Sequence, residues 1–129
     1  MAKIKNIISS DNSVIVDFEI DASTVFIAIK NSGVNAALHL KIKPSTAIFG
    51  LEGKKDLSKL NLFKEIKYMA PLKEIRIFVD GYDSFFRHLK NSMIDFTITW
   101  QDENKKSFKT KISHDLKIYS DLIFFIKKS

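Results

Sequence analysis

Three histidines, His39, His88 and His114, come first as residues able to do chemistry, because neutral imidazole is a common metal ligand and a ready proton carrier. They fall on separate segments with no HxH, HxxxH or HExxH spacing, whereas a metal site needs donors that converge. They read as exposed strand and helix residues. Carboxylates come next. Asp80 and Asp83 in DGYD, with Asp121, suggest a fragment of a calcium loop, but the run of acidic ligands and the distal Glu are missing. A helix cap at Asp80 or Asp83 accounts for that motif. Asp17 and Glu19 project from one strand face like a general acid–base pair. Among so many lysines they read as solvated charge. GxSxG elbows, Walker loops and cysteines do not occur, and four glycines leave little material for a phosphate cradle. The chain is expected to be no enzyme and to hold neither cofactor nor metal.

Binding chemistry has more material. The net charge is +6 and almost all of it is lysine, with arginine only at Arg76 and Arg87. Lys105, Lys106, Lys109 and Lys111 cluster near one hairpin, the candidate nucleic-acid surface. Lys41 and Lys43 share a strand face with His39, Lys54 and Lys55 tip a long excursion, and Phe78 beside Arg76 offers a stacking platform. Lysine on exposed strands also guards sheet edges against aggregation, and arginine is the residue usually placed for bidentate phosphate or guanine contacts. Two apolar clusters suggest a protein interface instead: Phe85, Phe86 and Leu89 in DSFFRHLKNSM, and Phe124, Phe125 and Ile126 in YSDLIFFIKKS.

The elements that must position these groups are mainly strands. Val14, Val16, Phe18 and Ile20 alternate with Asp17 and Glu19, and Val25, Ile27 and Ile29 form the inward side of TVFIAIKN. Leu38, Leu40 and Ile42 alternate with His39, Lys41 and Lys43, and Ile75, Ile77 and Val79 with Glu74, Arg76 and Phe78. Ile94, Phe96, Ile98 and Trp100 alternate likewise, and after the turn DENKK so do Phe108, Thr110 and Ile112. Period-two runs with one polar side are half-buried antiparallel strands. Residues 44–71 break the pattern as an excursion anchored by Ile48, Phe49, Leu51 and Leu57, with LFKEIKYM returning as a short strand or turn. A short helix is expected near residues 82–90 and a helical face (Leu116, Tyr119, Leu122, Ile123) in the C-terminal tail. With 129 residues, 45% of them apolar and eleven Phe, the chain is read as one domain over residues 1–129. Its core spans 13–116 and its apolar tail 117–129. The expected fold is an all-β, immunoglobulin-like antiparallel β-sandwich of about seven strands, with an OB-type barrel as the rival.

The runs VFIAIKNSGVNAALHLKIK, MAPLKEIRIFV and DFTITWQDENKKSFK resemble the immunoglobulin-like β-sandwich modules of prokaryotic proteins, CARDB-like domains among them. Asn31 and Gly33 match the family's Asn-x-Gly turn, Ala36 or Ala37 its small residue, and Ala70-Pro71 its corner, where Leu72 stands in place of the usual Gly. The resemblance implies the fold and a non-catalytic binding role. In the turn, Gly33 is expected to take positive φ and Asn31 to bond nearby backbone. Without a secretory signal or a membrane-span-length apolar run, the expectation is a cytoplasmic protein-interaction module, partnered by another protein or itself, the alternative being a nucleic-acid accessory domain.

Overall fold

The computed structural model describes residues 13–119. Seven strands of four to nine residues build two antiparallel sheets: β1 (Val14–Asp21), β2 (Thr24–Asn31), β3 (Ala37–Pro44), β6 (Ile66–Met69), β7 (Glu74–Gly81), β8 (Met93–Gln101) and β9 (Ser107–Asp115). The first sheet has the order β1-β2-β7 and the second β6-β3-β8-β9. The chain therefore changes sheet from β2 to β3, back from β6 to β7 and again from β7 to β8. This is the Greek-key exchange of an immunoglobulin-like β-sandwich, and neither sheet closes into a barrel. The core lies between them, where Val16, Phe18, Ile27 and Ile29 of one sheet face Leu40, Ile42, Phe96 and Ile98 of the other, all at most 3% exposed.

Alternation locates every long strand, but β3 departs from strict period two. His39 has φ 52°, and the pairing with β8 shifts between Leu38 and Lys41. This β-bulge gives β3 one extra residue. Ala37, not Leu38, turns into the core at 1% exposure, while Leu38 is left half-exposed on the outer face.

The excursion folds on itself. Phe49–Gly50 (β4) and Lys55–Asp56 (β5) form a two-stranded hairpin, followed by a 3₁₀ turn over Leu57–Lys59 and the short helix α1 (Asn61–Lys64). Ile48 and Leu57 are buried anchors as expected, but Leu51 lies at the hairpin tip, 42% exposed with φ 53°. Gly50 is required by close approach: a Cβ there would stand 2.4 Å from the Val79 carbonyl oxygen, and Val79 also accepts the Leu51 N–H at 2.9 Å. Asp56 fastens the hairpin, its Oδ1 accepting from the N–H groups of Ile48 (3.1 Å) and Ser58 (3.0 Å) and from the Ser58 hydroxyl (2.6 Å).

Two turn expectations are corrected. Gly33 does not take positive φ; of the four glycines only Gly53 does, at 78°. The turn is made by Asn31, whose Oδ1 accepts the Gly33 N–H at 3.1 Å, an Asx-turn that leaves φ of Gly33 ordinary. The helix α2 (Tyr82–His88) has Gly81 at its N-cap with no side-chain cap bond, so neither Asp80 nor Asp83 caps it. Asp80 is 4% exposed and accepts from the Glu52 N–H (3.1 Å) and the Ser84 hydroxyl (2.8 Å), tying the hairpin to the helix. Of the tail, a 3₁₀ turn over Leu116–Tyr119 docks on the domain. Leu116 is buried, and the Tyr82 hydroxyl donates to the Tyr119 carbonyl. Phe124, Phe125 and Ile126 lie outside the described residues.

Gly50→Ala is expected to destabilise the protein by about 2 kcal/mol or more, since the neighbour it strikes is backbone; urea unfolding of the variant measures it. Burial works to raise the Asp56 carboxyl, but the Ser58 hydroxyl and the backbone N–H groups of Ile48 and Ser58 outweigh it and hold it below the usual carboxylate value. A lowered folded-state pKa contributes stability that is present above the unfolded value, about 3.9, and lost as the pH falls through the folded one. Asp56→Asn, which keeps the acceptor oxygen, is expected to flatten the fall in urea midpoint below about pH 4; an unchanged acid limb contradicts this assignment.

Candidate functional site

Each histidine has a local structural partner. On the β3 bulge, His39 Nδ1 lies 2.9 Å from Glu65 Oε2, and this bond is the leading cause holding the Glu65 carboxyl below its ordinary value. His88 Nδ1–H donates to the Ser84 carbonyl at 2.8 Å on α2. His114 packs edge-on to Phe18 and Phe96, and its Nε2–H donates to the Val16 carbonyl at 2.9 Å, stitching β9 to the edge of β1. No group of three or more His, Cys, Asp or Glu side chains among the described residues could hold a metal ion.

The outer face of the β1-β2-β7 sheet neutralises itself. Glu19 bonds Lys30 at 2.8 Å and Arg76 at 3.2 Å, and its hydrogen bond raises the Lys30 ammonium above its ordinary value. The Arg76 guanidinium lies 4.0 Å from the Phe26 ring centroid, and Phe26 meets Phe78 edge-on at 6.2 Å. Arg76 thus covers Phe26, leaving Phe78, 50% exposed, as the open ring of the expected platform.

The apolar helix segment faces inward. Phe85 is 1% exposed, in ring contact with Phe18 at 6.1 Å and Phe86 at 5.1 Å, while Phe86 and Leu89 are partly buried against the same core. α2 closes the end of the sandwich opposite the β2–β3 loop. The side chains expected to meet a partner therefore fill their own domain, sharing that end of the two sheets with the buried Ile48, Leu57 and Leu116.

The lysines separate into two groups. Lys105 and Lys106 sit in the β8–β9 turn, where Lys105 has φ 67° and the Lys106 ammonium lies 5.5 Å from the Phe108 ring centroid. Lys109 and Lys111 instead stand on the outer face of the second sheet. There the register sets Lys41, Thr99 and Lys109 in one cross-strand row and Lys43, Thr97 and Lys111 in the next. The link between Lys41 or Lys43 and the last hairpin was not legible along the chain, since it depends on β3 and β9 both pairing with β8.

Three loops converge at the end opposite α2: residues 32–36, 70–73 and 102–106. Asn31, 2% exposed, fastens the first two, its Nδ2 lying 2.9 Å from the Asn35 carbonyl and 3.2 Å from those of Met69 and Ala70. The pairings Ala37 with Met69 and Leu38 with Gln101 bring the third to the same end. Asp102, 8% exposed, accepts from the Asn104 and Lys106 N–H groups at 2.8 and 3.0 Å and holds that loop in shape. On this braced end Val34 is 64% exposed and Leu72 is 76% exposed with φ 62°. The residue signal for this surface was Leu72 itself, standing where the resembled family carries Gly.

No curated protein and no solved structure matches the chain. No helix among the described residues is long and apolar enough to cross a membrane. The model of the family described as "Domain of unknown function (DUF8453)" matches residues 5–120, so the chain belongs to that family.

Proposed function

We propose that the protein is a non-catalytic interaction module of a prokaryotic cytoplasm that docks another protein on its loop end. The observation carrying this reading is Leu72. A branched apolar side chain in the left-handed region carries a cost of roughly 1–2 kcal/mol that Gly would avoid. At 76% exposure it gains little from its own domain to offset that cost. Backbone strain of this kind clusters at functional sites. An exposed leucine on a braced loop, with Val34 on the adjoining loop, presents apolar area whose ordering cost is in part already met by Asn31. Preorganised loops on a rigid sandwich are a common way to build a binding surface. The cations Lys73, Lys105 and Lys106 lie in the same loops and fit a polar rim around an apolar centre.

Leu72→Gly separates binding from folding. The variant is expected to be as stable as the parent or more stable by up to about 1 kcal/mol, while losing its partner. The measurement is affinity capture from the native host with parent, Leu72→Gly and Val34→Ser proteins, followed by mass measurement of the intact complexes. Partner loss in both loop variants supports the reading, including the case in which the lost partner is a second copy of this chain. Complexes of unchanged composition in both variants sink it.

A further inference from the structure

The outer face of the β6-β3-β8-β9 sheet carries a cationic surface separate from the loop end. Lys41 and Lys43 stand two residues apart on β3, roughly 7 Å along the strand. Lys109 and Lys111 face them across Thr99 and Thr97, roughly 10 Å away over two strand spacings. A groove of about 570 Å³ opens over this face, lined by Lys41, Lys43, Lys64, Thr97, Thr99 and Lys109 among others. The acidic side chains nearby are otherwise engaged. Asp95 lies 3.4 Å from Lys111 and Glu65 pairs with His39. Among the described residues, no carboxylate lies within ion-pair distance of Lys41, Lys43, Lys64 or Lys109.

Edge protection explains lysine at open strand sides, but not why the two pairs fall in shared rows across Thr97 and Thr99. Lysines on β9 guard an outermost strand. β3 lies between β6 and β8, but its ladder to β6 ends at the pair of Leu40 and Ile66, so beside Lys41 and Lys43 only β8 is paired and edge protection applies to them as well. Like charges gathered on one side of a sheet repel, and an anion relieves that repulsion. The threonine hydroxyls between the two lysine columns can donate to the same anion, as hydroxyls and ammonium groups do on phosphate oxygens. At the top of the face, Tyr68 is opposite Leu38, which is opposite Gln101. Because the inner side is closed core, a side chain that is 60% exposed there stands outward.

We infer that this face binds single-stranded nucleic acid, the lysines and threonines holding successive phosphates and Tyr68 stacking on a base. Double-stranded partners are disfavoured because their bases are not free to stack on Tyr68. Recognition is independent of sequence, since no arginine stands on these strands to read a base edge. The site uses Lys109 and Lys111 but not Lys105 and Lys106, and of its residues Tyr68 borders the loop end.

The test is fluorescence anisotropy of a labelled oligothymidylate of about twenty nucleotides, titrated with the full chain at several salt concentrations. For three to four phosphate contacts, log K is expected to fall against log salt with a slope of about −2 to −3. Lys41→Gln/Lys43→Gln should reduce the steepness by about 1.4. Tyr68→Ala should weaken binding about tenfold with the slope unchanged. Lys105→Gln/Lys106→Gln should change neither. All these positions are exposed, and an unchanged urea midpoint confirms that each variant is folded. The inference is overturned by absent saturable binding at about 50 mM salt, by tighter binding to the matching duplex, or by Lys41→Gln/Lys43→Gln binding like the parent. It is equally overturned if Lys105→Gln/Lys106→Gln produces the larger loss.

Discussion

The side-chain amide of Asn31 is the contact on which the loop end of this sandwich depends. Its residue closes β2 in one sheet, its Nδ2 reaches the carbonyls of Asn35, Met69 and Ala70, and its Oδ1 takes the Gly33 N–H. Its backbone N–H adds a bond to the Lys73 carbonyl at 2.9 Å. One buried side chain thus joins the crossing from the first sheet to the second with the crossing back. A buried carbonyl left without a partner carries a desolvation penalty of about 1–3 kcal/mol; of the three that Asn31 reaches, the Ala70 carbonyl also accepts the Lys73 N–H at 3.3 Å. Asn suits the position because it both donates and accepts, which neither Asp nor Leu of similar size can do. The exposed placement of Val34 and Leu72 follows from that bracing.

The two outer faces resolve their charges in opposite ways. On the β1-β2-β7 sheet, Glu19 occupies both Lys30 and Arg76, and Arg76 lies flat on Phe26. Surface ion pairs of this kind add little stability; what they remove is free charge. On the other sheet Lys111 pairs with Asp95, while Lys41, Lys43 and Lys109 lack such partners among the described residues. Among the described residues, Lys41, Lys43 and Lys109 therefore give that outer face a positive charge that the first sheet's face lacks.

Much of the fold was legible because alternation is a local property. β1, β2 and β8 bury most of the residues that their period-two pattern selects, and in β7 and β9 the same pattern picks out the more covered side. What escaped depended on partners distant in the chain. The bulge at His39 exists because β3 must match β8 on one side, and nothing in HLKIK marks the extra residue. Gly50 reads as a turn glycine but is needed where the hairpin meets the Val79 carbonyl. Asp80 resembles a helix cap by spacing, yet its carboxylate is engaged by Glu52, which lies in another element. The apolar Phe85 segment was visible as a cluster, but only its position at the open end of the sandwich shows that the cluster faces inward. Residue type located the chemistry of the surface, and register decided which residues share it.

The strand order also governs how the chain can acquire its structure during synthesis. β3 is flanked by β6 and β8, and β8 ends at residue 101. A nascent chain is made from the N-terminal side, so β1 and β2 can pair early while β3 waits for β8, which begins only at Met93, to complete its pairing. During that interval the apolar sides of Ile27, Ile29, Leu40 and Ile42 have no completed opposing sheet. Pairings between strands distant in sequence form slowly, and exposed strands in the meantime are prone to aggregate. The lysines of β3 lie on the side turned away from those apolar residues. They give a waiting strand a charged surface before its neighbours arrive, and charge on an exposed strand opposes edge-to-edge aggregation.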